Sequence, residues 1–162
     1  LGERCPVSTT TTRSTIFNLS HQHTRAHIVR AHFEGIAYNL RWSLHNLKKD
    51  FGFDIKELKI TGGGTYNKTW MQIIADVTQC KIITTSEPKN AGAIGAAMCA
   101  MVGSGTYQNF SEISKLIQPK DEFIPNLANK QVYDKIYTHY QKIYKQLEKP
   151  YKSINNERFE IG

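Results

Sequence analysis

The chain has 162 residues, of which 40% are hydrophobic, 10% aromatic and 22% charged, with a formal net charge of +7. That balance is globular, with length enough for one sizeable core, and it excludes a collagen-like or wholly disordered chain. No run approaches the roughly eighteen apolar residues of a membrane-spanning helix, and no basic-then-apolar leader opens the sequence, which begins at Leu1 as though cut from something longer.

Residues 1–22 are polar and turn-rich, with the run Thr9-Thr10-Thr11-Thr12. Next, Val29, Phe33, Ile36, Leu40, Leu44 and Leu47 recur at spacings of three and four. That stripe predicts an amphipathic helix from Thr24 to Lys49, with Thr24 as N-cap and Gly52 as stop. Gly35 lies inside it, at about 1 kcal/mol relative to Ala, which suggests the close passage of another backbone. Glu57 to Thr61 reads as a short strand that runs directly into Gly62-Gly63-Gly64. A second helix follows, about Lys68 to Gln79, with Trp70, Ile73, Ile74 and Val77 on one face. Lys81 to Thr85 is β-branched and reads as a strand.

A third helix, about Ala91 to Val102, is rich in small residues, Gly92, Ala93, Gly95, Ala96, Ala97 and Ala100, and Gly103 and Gly105 end it. Pro119 and Pro125 bracket a loop. A last helix runs from Lys130 to Leu147, with Tyr133, Tyr137, Tyr140 and Tyr144 at helical spacing, an aromatic stripe read as packing. Pro150 closes it, leaving the tail to Gly162 loosely attached. Strand and helix alternate, so the class is α/β.

The positive charge favours anionic partners. Yet Lys48-Lys49 is the one adjacent basic pair and the other lysines are dispersed, which argues against nucleic acid. Cys5, Cys80 and Cys99 are odd in number and far apart, so neither a disulfide framework nor a zinc site is expected, and a reducing cytosol suits them. His21, His23, His27 and His32 lack the His-Glu-x-x-His pattern and an adjacent carboxylate, so no metal is assigned to them.

Strand, three glycines and helix together are the informative feature. Glycines let the backbone bend sharply and approach a ligand without a Cβ in the way. The N–H groups at the next helix start lie at the positive end of its dipole, an anion site suited to phosphate. The segment is neither a P-loop nor a Gly-x-Gly-x-x-Gly fingerprint, since Tyr66 and Asn67 stand in the last two places. The bend is either a phosphate cradle or a plain turn that needs glycine for its geometry. Asn67 either caps the helix or hydrogen-bonds a nucleotide. Ala91-Gly92-Ala93 with Gly95-Ala96 either walls an adenine slot or packs tightly on a sheet.

Several stretches in order resemble the C-terminal domain of FGGY sugar kinases. They are Leu1 to Pro6, Arg13, Phe17 to His23, Arg30 to Arg41, Ile60 to Gly64, Asn67, Trp70, Gln72 to Val77 and Ala93 to Ala97. The resemblance covers about residues 1–147, and the run from Glu34 to Arg41 is most similar to xylulokinases. It implies an actin-like, ribonuclease H-like ATPase domain that is incomplete at its N-terminal side. Residues 1–149 would be part of the nucleotide-binding domain and 150–162 a C-terminal tail. It further implies transfer of a phosphoryl group from MgATP to a sugar hydroxyl, of xylulose or a related ketopentose, with gluconate or another polyol as the alternative. Gly62, Gly63 and Gly64 would hold the ADP phosphates and Asn67 would sit by the nucleoside. Asp76 would be a structural partner on the second helix.

The catalytic base, the first phosphate loop and most sugar contacts of the family lie upstream of Leu1, so no catalytic residue is assigned and this polypeptide alone is expected not to turn over. The implied partners are ATP or ADP, the sugar and the missing N-terminal kinase domain, with a homodimer allowed, in the cytoplasm, and with neither nucleic acid nor membrane. Its sheet is expected to expose an unpaired edge. The sequence departs from the family at Thr9, Ser14, Asn18 and His32. A non-catalytic nucleotide-binding or interaction domain is the competing reading.

Overall fold

The computed structural model describes residues 5–155, which fall into two compact units.

Residues 5–55, 76–78 and 126–155 form the first. Its long helices are α1, Arg25–Phe51, and α5, Lys130–Asn155. Thr24 is the N-cap of α1, and Gly52 closes it in the left-handed region at φ 75°, donating its N–H to Lys48 O. The aliphatic stripe of α1 is not its most buried face: Val29 and Ile36 are 45% and 52% exposed, whereas Ala37, Tyr38 and Trp42 are buried. Tyr38 lies 6.2 Å from Tyr133, 6.2 Å from Tyr137 and 5.5 Å from Tyr140, and Trp42 meets Tyr144 edge-on at 5.2 Å. The tyrosines of α5 therefore pack as expected, but they select the aromatic side of α1, because rings bury more area and add their own pair geometry. A Cβ on Gly35 would meet nothing within 4 Å, so no backbone passes close to that glycine among the described residues.

Charged groups flank the rings. Arg41 lies over Tyr137 at 4.4 Å and pairs with Asp134, which also pairs with Lys130. Burial would push the Asp134 carboxyl up, but the bonds from Lys130 and Arg41 prevail and hold it below the usual range. Arg30 bonds Glu34 at 2.8 Å and the Tyr133 hydroxyl at 3.0 Å. Burial raises the phenols of Tyr38, Tyr133 and Tyr137 above their ordinary value.

Helix α5 does not stop at Pro150 but continues one turn to Asn155. Proline removes one N–H there, a cost of about 3 kcal/mol in a helix interior. The final turn is held from outside the helix: the Tyr151 hydroxyl bonds Thr15, and buried Asn155 donates to Thr11 O at 2.9 Å. Residues 156–162 of the expected tail lie outside the described residues.

Lys56–Ala75 and Gln79–Pro125 form the second unit. Three strands are ordered β1-β2-β3: β1, Glu57–Ile60; β2, Lys81–Thr85; β3, Pro119–Phe123. β1 and β2 are parallel, with Leu58 opposite Ile82 and Ile60 opposite Thr84, and helix α2, Lys68–Thr78, intervenes in sequence. β3 is antiparallel to β2, with Ile82 opposite Phe123. Sequence reasoning expected a loop between Pro119 and Pro125, and the structure has an edge strand there. The segment is charged and proline-flanked, which an edge strand tolerates.

The ladder is irregular between Ile83 and Thr85. Thr84 Oγ1 repairs it, accepting the Asp121 N–H at 3.1 Å and donating to Asp121 O at 3.4 Å. Lys81 joins the strands, 2.9 Å from Glu122, whose hydrogen bond raises the ammonium pKa. The core of this unit holds Met71, Ile73, Ile74, Cys80, Ile82 and Ile83, with Ile113 from the short helix α4, Phe110–Ile113. β1 is one edge of the sheet, so the expected open edge is present among the described residues.

Helix α3, Ala91–Gly103, follows a one-turn segment at Pro88–Asn90 and has no buried residue. Among the described residues no helix is long and apolar enough to cross a membrane.

Candidate functional site

The carboxyl end of β1 leads into Gly62, at φ 102° and ψ 171°, a conformation closed to L side chains. The Gly62 carbonyl accepts both the N–H of Thr65, at 3.1 Å, and its hydroxyl, at 2.8 Å. These bonds wind Gly63–Tyr66 into one tight turn between the strand and the helix. Asn67 then closes that turn, donating its N–H to Gly64 O at 3.1 Å, and opens α2, accepting the Trp70 N–H on Oδ1 at 3.0 Å. The capping alternative for Asn67 is thus realised.

The three glycines have different reasons to be glycine. Gly62 needs its φ. A Cβ on Gly64 would lie 2.6 Å from Trp70 Cζ3. A Cβ on Gly63 would meet nothing within 4 Å, and Gly63 is exposed. As the first residues of the turn, Gly63 and Gly64 have no acceptor within it for their N–H groups. Two successive backbone donors at a bend with no side chain before them can bind an oxyanion.

The surroundings are basic. Lys89 and Lys120 place their ammonium groups 5.5 and 5.9 Å from the Tyr66 ring centre. Lys68, first residue of α2, pairs with Asp121 at 3.2 Å. Thr65, Tyr66, Lys68, Thr84, Lys120 and Asp121 line a small cavity beside the bend. Thr61 and Thr85, at the ends of the parallel strands, bond through their hydroxyls at 3.0 Å. Lys120 and Asp121 were missed in the sequence because only the pairing of β3 brings them here.

Other expectations separate from this site. Ala91, Gly92, Ala93, Gly95 and Ala96 do not pack tightly among the described residues: Cβ atoms on Gly92 and Gly95 would meet nothing within 4 Å. Asp76 is buried and structural, accepting the Asn126 N–H at 2.9 Å and the Asn129 amide at 2.8 Å. His23 and His27 serve backbone at the start of α1, accepting the N–H groups of Ser20 at 2.9 Å and Thr24 at 3.1 Å. His32 is exposed and bonds Ile28 O at 2.8 Å.

The departures at Asn18 and Thr9 also have local accounts. Asn18 sits at φ 63°, the region that glycine favours and Asn tolerates. Thr9 Oγ1 accepts the Thr11 N–H at 3.2 Å. All three cysteines are free: Cys5 and Cys99 exposed, Cys80 buried.

Residues 1–104 match the model of the "FGGY family of carbohydrate kinases, C-terminal domain". The chain is 37% identical over 120 residues to the L-xylulose/3-keto-L-gulonate kinase of Escherichia coli, an alignment spanning 74% of this chain and 24% of that protein. Its fold superposes on a ligand-bound xylulose kinase from Lactobacillus acidophilus with TM-score 0.83 at 27% identity, covering 95% of this chain and 31% of that one. A gluconate kinase from the same organism gives TM-score 0.78 at 26% identity, covering 90% and 29%. The chain thus spans about a quarter to a third of the length of these relatives.

Proposed function

The chain belongs to the FGGY family of carbohydrate kinases and has the actin-like ATPase fold of its structural neighbours, and from that premise we propose that it is the nucleotide-binding part of an ATP-dependent sugar kinase. The observation that carries the reading is the bend at Gly62-Gly63-Gly64: two N–H groups without acceptors in their own turn, beside basic side chains, at the carboxyl end of a parallel strand. The Gly63 and Gly64 amides take the diphosphate oxygens of ADP or ATP. The N-cap bond commits Asn67 Oδ1 to Trp70, so Asn67 offers its NH₂ to an acceptor on the nucleoside. Lysines near the bend add a field that favours the polyphosphate.

Among the described residues no three metal-ligating side chains come together. Mg²⁺, which neutralises phosphate charge when bound, would arrive with the nucleotide. The catalytic base and most sugar contacts belong to polypeptide outside this chain, so the chain alone binds nucleotide without turnover. Its partner is the N-terminal kinase domain. Residues 1–149 act as the nucleotide-binding segment, and of the expected tail residues 150–155 complete helix α5.

The acceptor we favour is xylulose or a related ketopentose, in line with the E. coli and L. acidophilus relatives. Gluconate or another polyol is the second reading, favoured by the likeness to a gluconate kinase. Calorimetry with MgADP tests nucleotide binding; no heat from the folded chain refutes the proposal in favour of a non-catalytic domain. Joined to an N-terminal kinase domain, an ADP-release assay across ketoses, gluconate and glycerol identifies the acceptor.

A further inference from the structure

Lys89 and Lys120 reach the same ring from two separate segments. Lys89 belongs to the one-turn segment at Pro88–Asn90 and Lys120 to β3, both in the unit that holds the glycine bend. Both residues are exposed, and their ammonium groups stand 5.5 and 5.9 Å from the centre of the Tyr66 ring. The carboxylates that flank them in sequence are engaged elsewhere. Asp121 pairs with Lys68 at 3.2 Å, Glu122 pairs with Lys81 at 2.9 Å, and Glu87 accepts the Asn90 amide at 3.3 Å. Among the described residues neither Lys89 nor Lys120 forms an ion pair. The ring attracts each ammonium group but carries no net charge, so both cations stay available to an anion.

The surroundings set the size of that anion. Tyr66, Thr85, Pro88 and Lys120 are among the residues around a cavity of about 50 Å³. It has room for a phosphate-sized group and too little for a nucleoside, since pockets for such ligands run to about 300 Å³ or more. The Gly63 and Gly64 amides lie in the same turn as Tyr66. A row of phosphates that starts on those amides therefore meets two unpaired cations as it lengthens.

We propose that Lys89 and Lys120 swing from the Tyr66 ring onto the phosphates that follow the α-phosphate, and so make the site select nucleoside di- and triphosphates over monophosphates. Tyr66 is the positioning residue that holds both ammonium groups within reach. The proposal rests on the reading of the glycine bend as a phosphate cradle. It goes further in assigning two side chains to the outer phosphates, where a general positive field would act on every phosphate alike.

Calorimetry with MgADP, MgATP and AMP on the chain, on Lys89→Met, on Lys120→Met and on the double variant tests this. Each single change should weaken MgADP and MgATP about fivefold and the double change about twentyfold, while AMP affinity moves by less than about twofold. Both lysines are exposed, so the circular dichroism and urea midpoint should stay as they were. Tyr66→Leu should weaken MgADP about threefold and Tyr66→Phe should not, because the ring and not the hydroxyl holds the ammonium groups; any other order overturns the positioning role. An AMP loss equal to the MgADP loss overturns the assignment to the outer phosphates and leaves a general field. Unchanged MgADP and MgATP affinity in the double variant overturns it as well. The two readings fail differently: no nucleotide heat from the unsubstituted chain refutes the phosphate cradle and the lysine assignment together, whereas heat that the lysine changes leave intact refutes the lysine assignment alone.

Discussion

Alanine at each glycine of the bend should give three different results, because each glycine is there for a different physical reason. At Gly62 the φ of 102° puts any Cβ in conflict with its own backbone, and Gly62→Ala should cost at least about 1 kcal/mol. At Gly64 the new methyl would lie 2.6 Å from Trp70 Cζ3 and 3.2 Å from Cε3. A bulky ring must then move within a packed site, and overpacking of that kind costs about 1–3 kcal/mol. With a urea m-value of about 2 kcal/mol/M, the midpoint should fall by roughly 0.5–1.5 M.

At Gly63 nothing stands within 4 Å, so Gly63→Ala should leave stability within about 0.5 kcal/mol. Its methyl would stand where the bound oxyanion is proposed to sit, so MgADP affinity should fall by about tenfold, or 1.4 kcal/mol. Urea unfolding followed by Trp fluorescence, with MgADP calorimetry on the same samples, reads both quantities. An unchanged midpoint for Gly64→Ala would refute the packing argument. Wild-type MgADP affinity for Gly63→Ala would refute the amide cradle.

Tyr38 is buried, yet its hydroxyl has no partner among the described residues. Tyr38→Phe should therefore be neutral or stabilising by up to about 1 kcal/mol, whereas Tyr137→Ala, which empties the aromatic cluster, should cost about 3–5 kcal/mol; thermal denaturation compares the two. Asp76→Ala leaves the Asn126 N–H and the Asn129 amide without their acceptor, and chemical denaturation should show a loss of about 3 kcal/mol. The raised phenols of Tyr38, Tyr133 and Tyr137 give a pH dependence of definite sign. Their neutral forms are favoured in the folded chain, so their contribution is complete below the unfolded value of about 10 and is lost as pH rises from there through the folded values. Ionisation followed at 295 nm should coincide with loss of helix, and independent titration of these tyrosines in a chain that stays folded would contradict the argument.

Some elements were legible because their cause is local. The ends of α1 follow from Thr24 and Gly52, and β2 from five residues dominated by β-branched side chains. The special backbone of Gly62 and the capping role of Asn67 are likewise properties of a few adjacent residues. The tyrosine stripe of α5 announced its packing through spacing alone. Other features depend on partners distant in sequence. Periodicity marked the aliphatic side of α1, but the rings of α5 chose the Tyr38 and Trp42 side.

Pro119–Phe123 has no strand signal of its own and becomes β3 because β2 offers backbone partners and Thr84 mends the ladder. Helix α5 passes Pro150 because Thr11 and Thr15 hold its last turn. Lys120 and Asp121 reach the glycine bend only through that strand pairing. Backbone conformation is decided over a few neighbouring residues, so a sequence states it openly. Which face is buried, and which side chains meet, is decided by contacts between residues up to 144 positions apart, and only the folded chain brings those together.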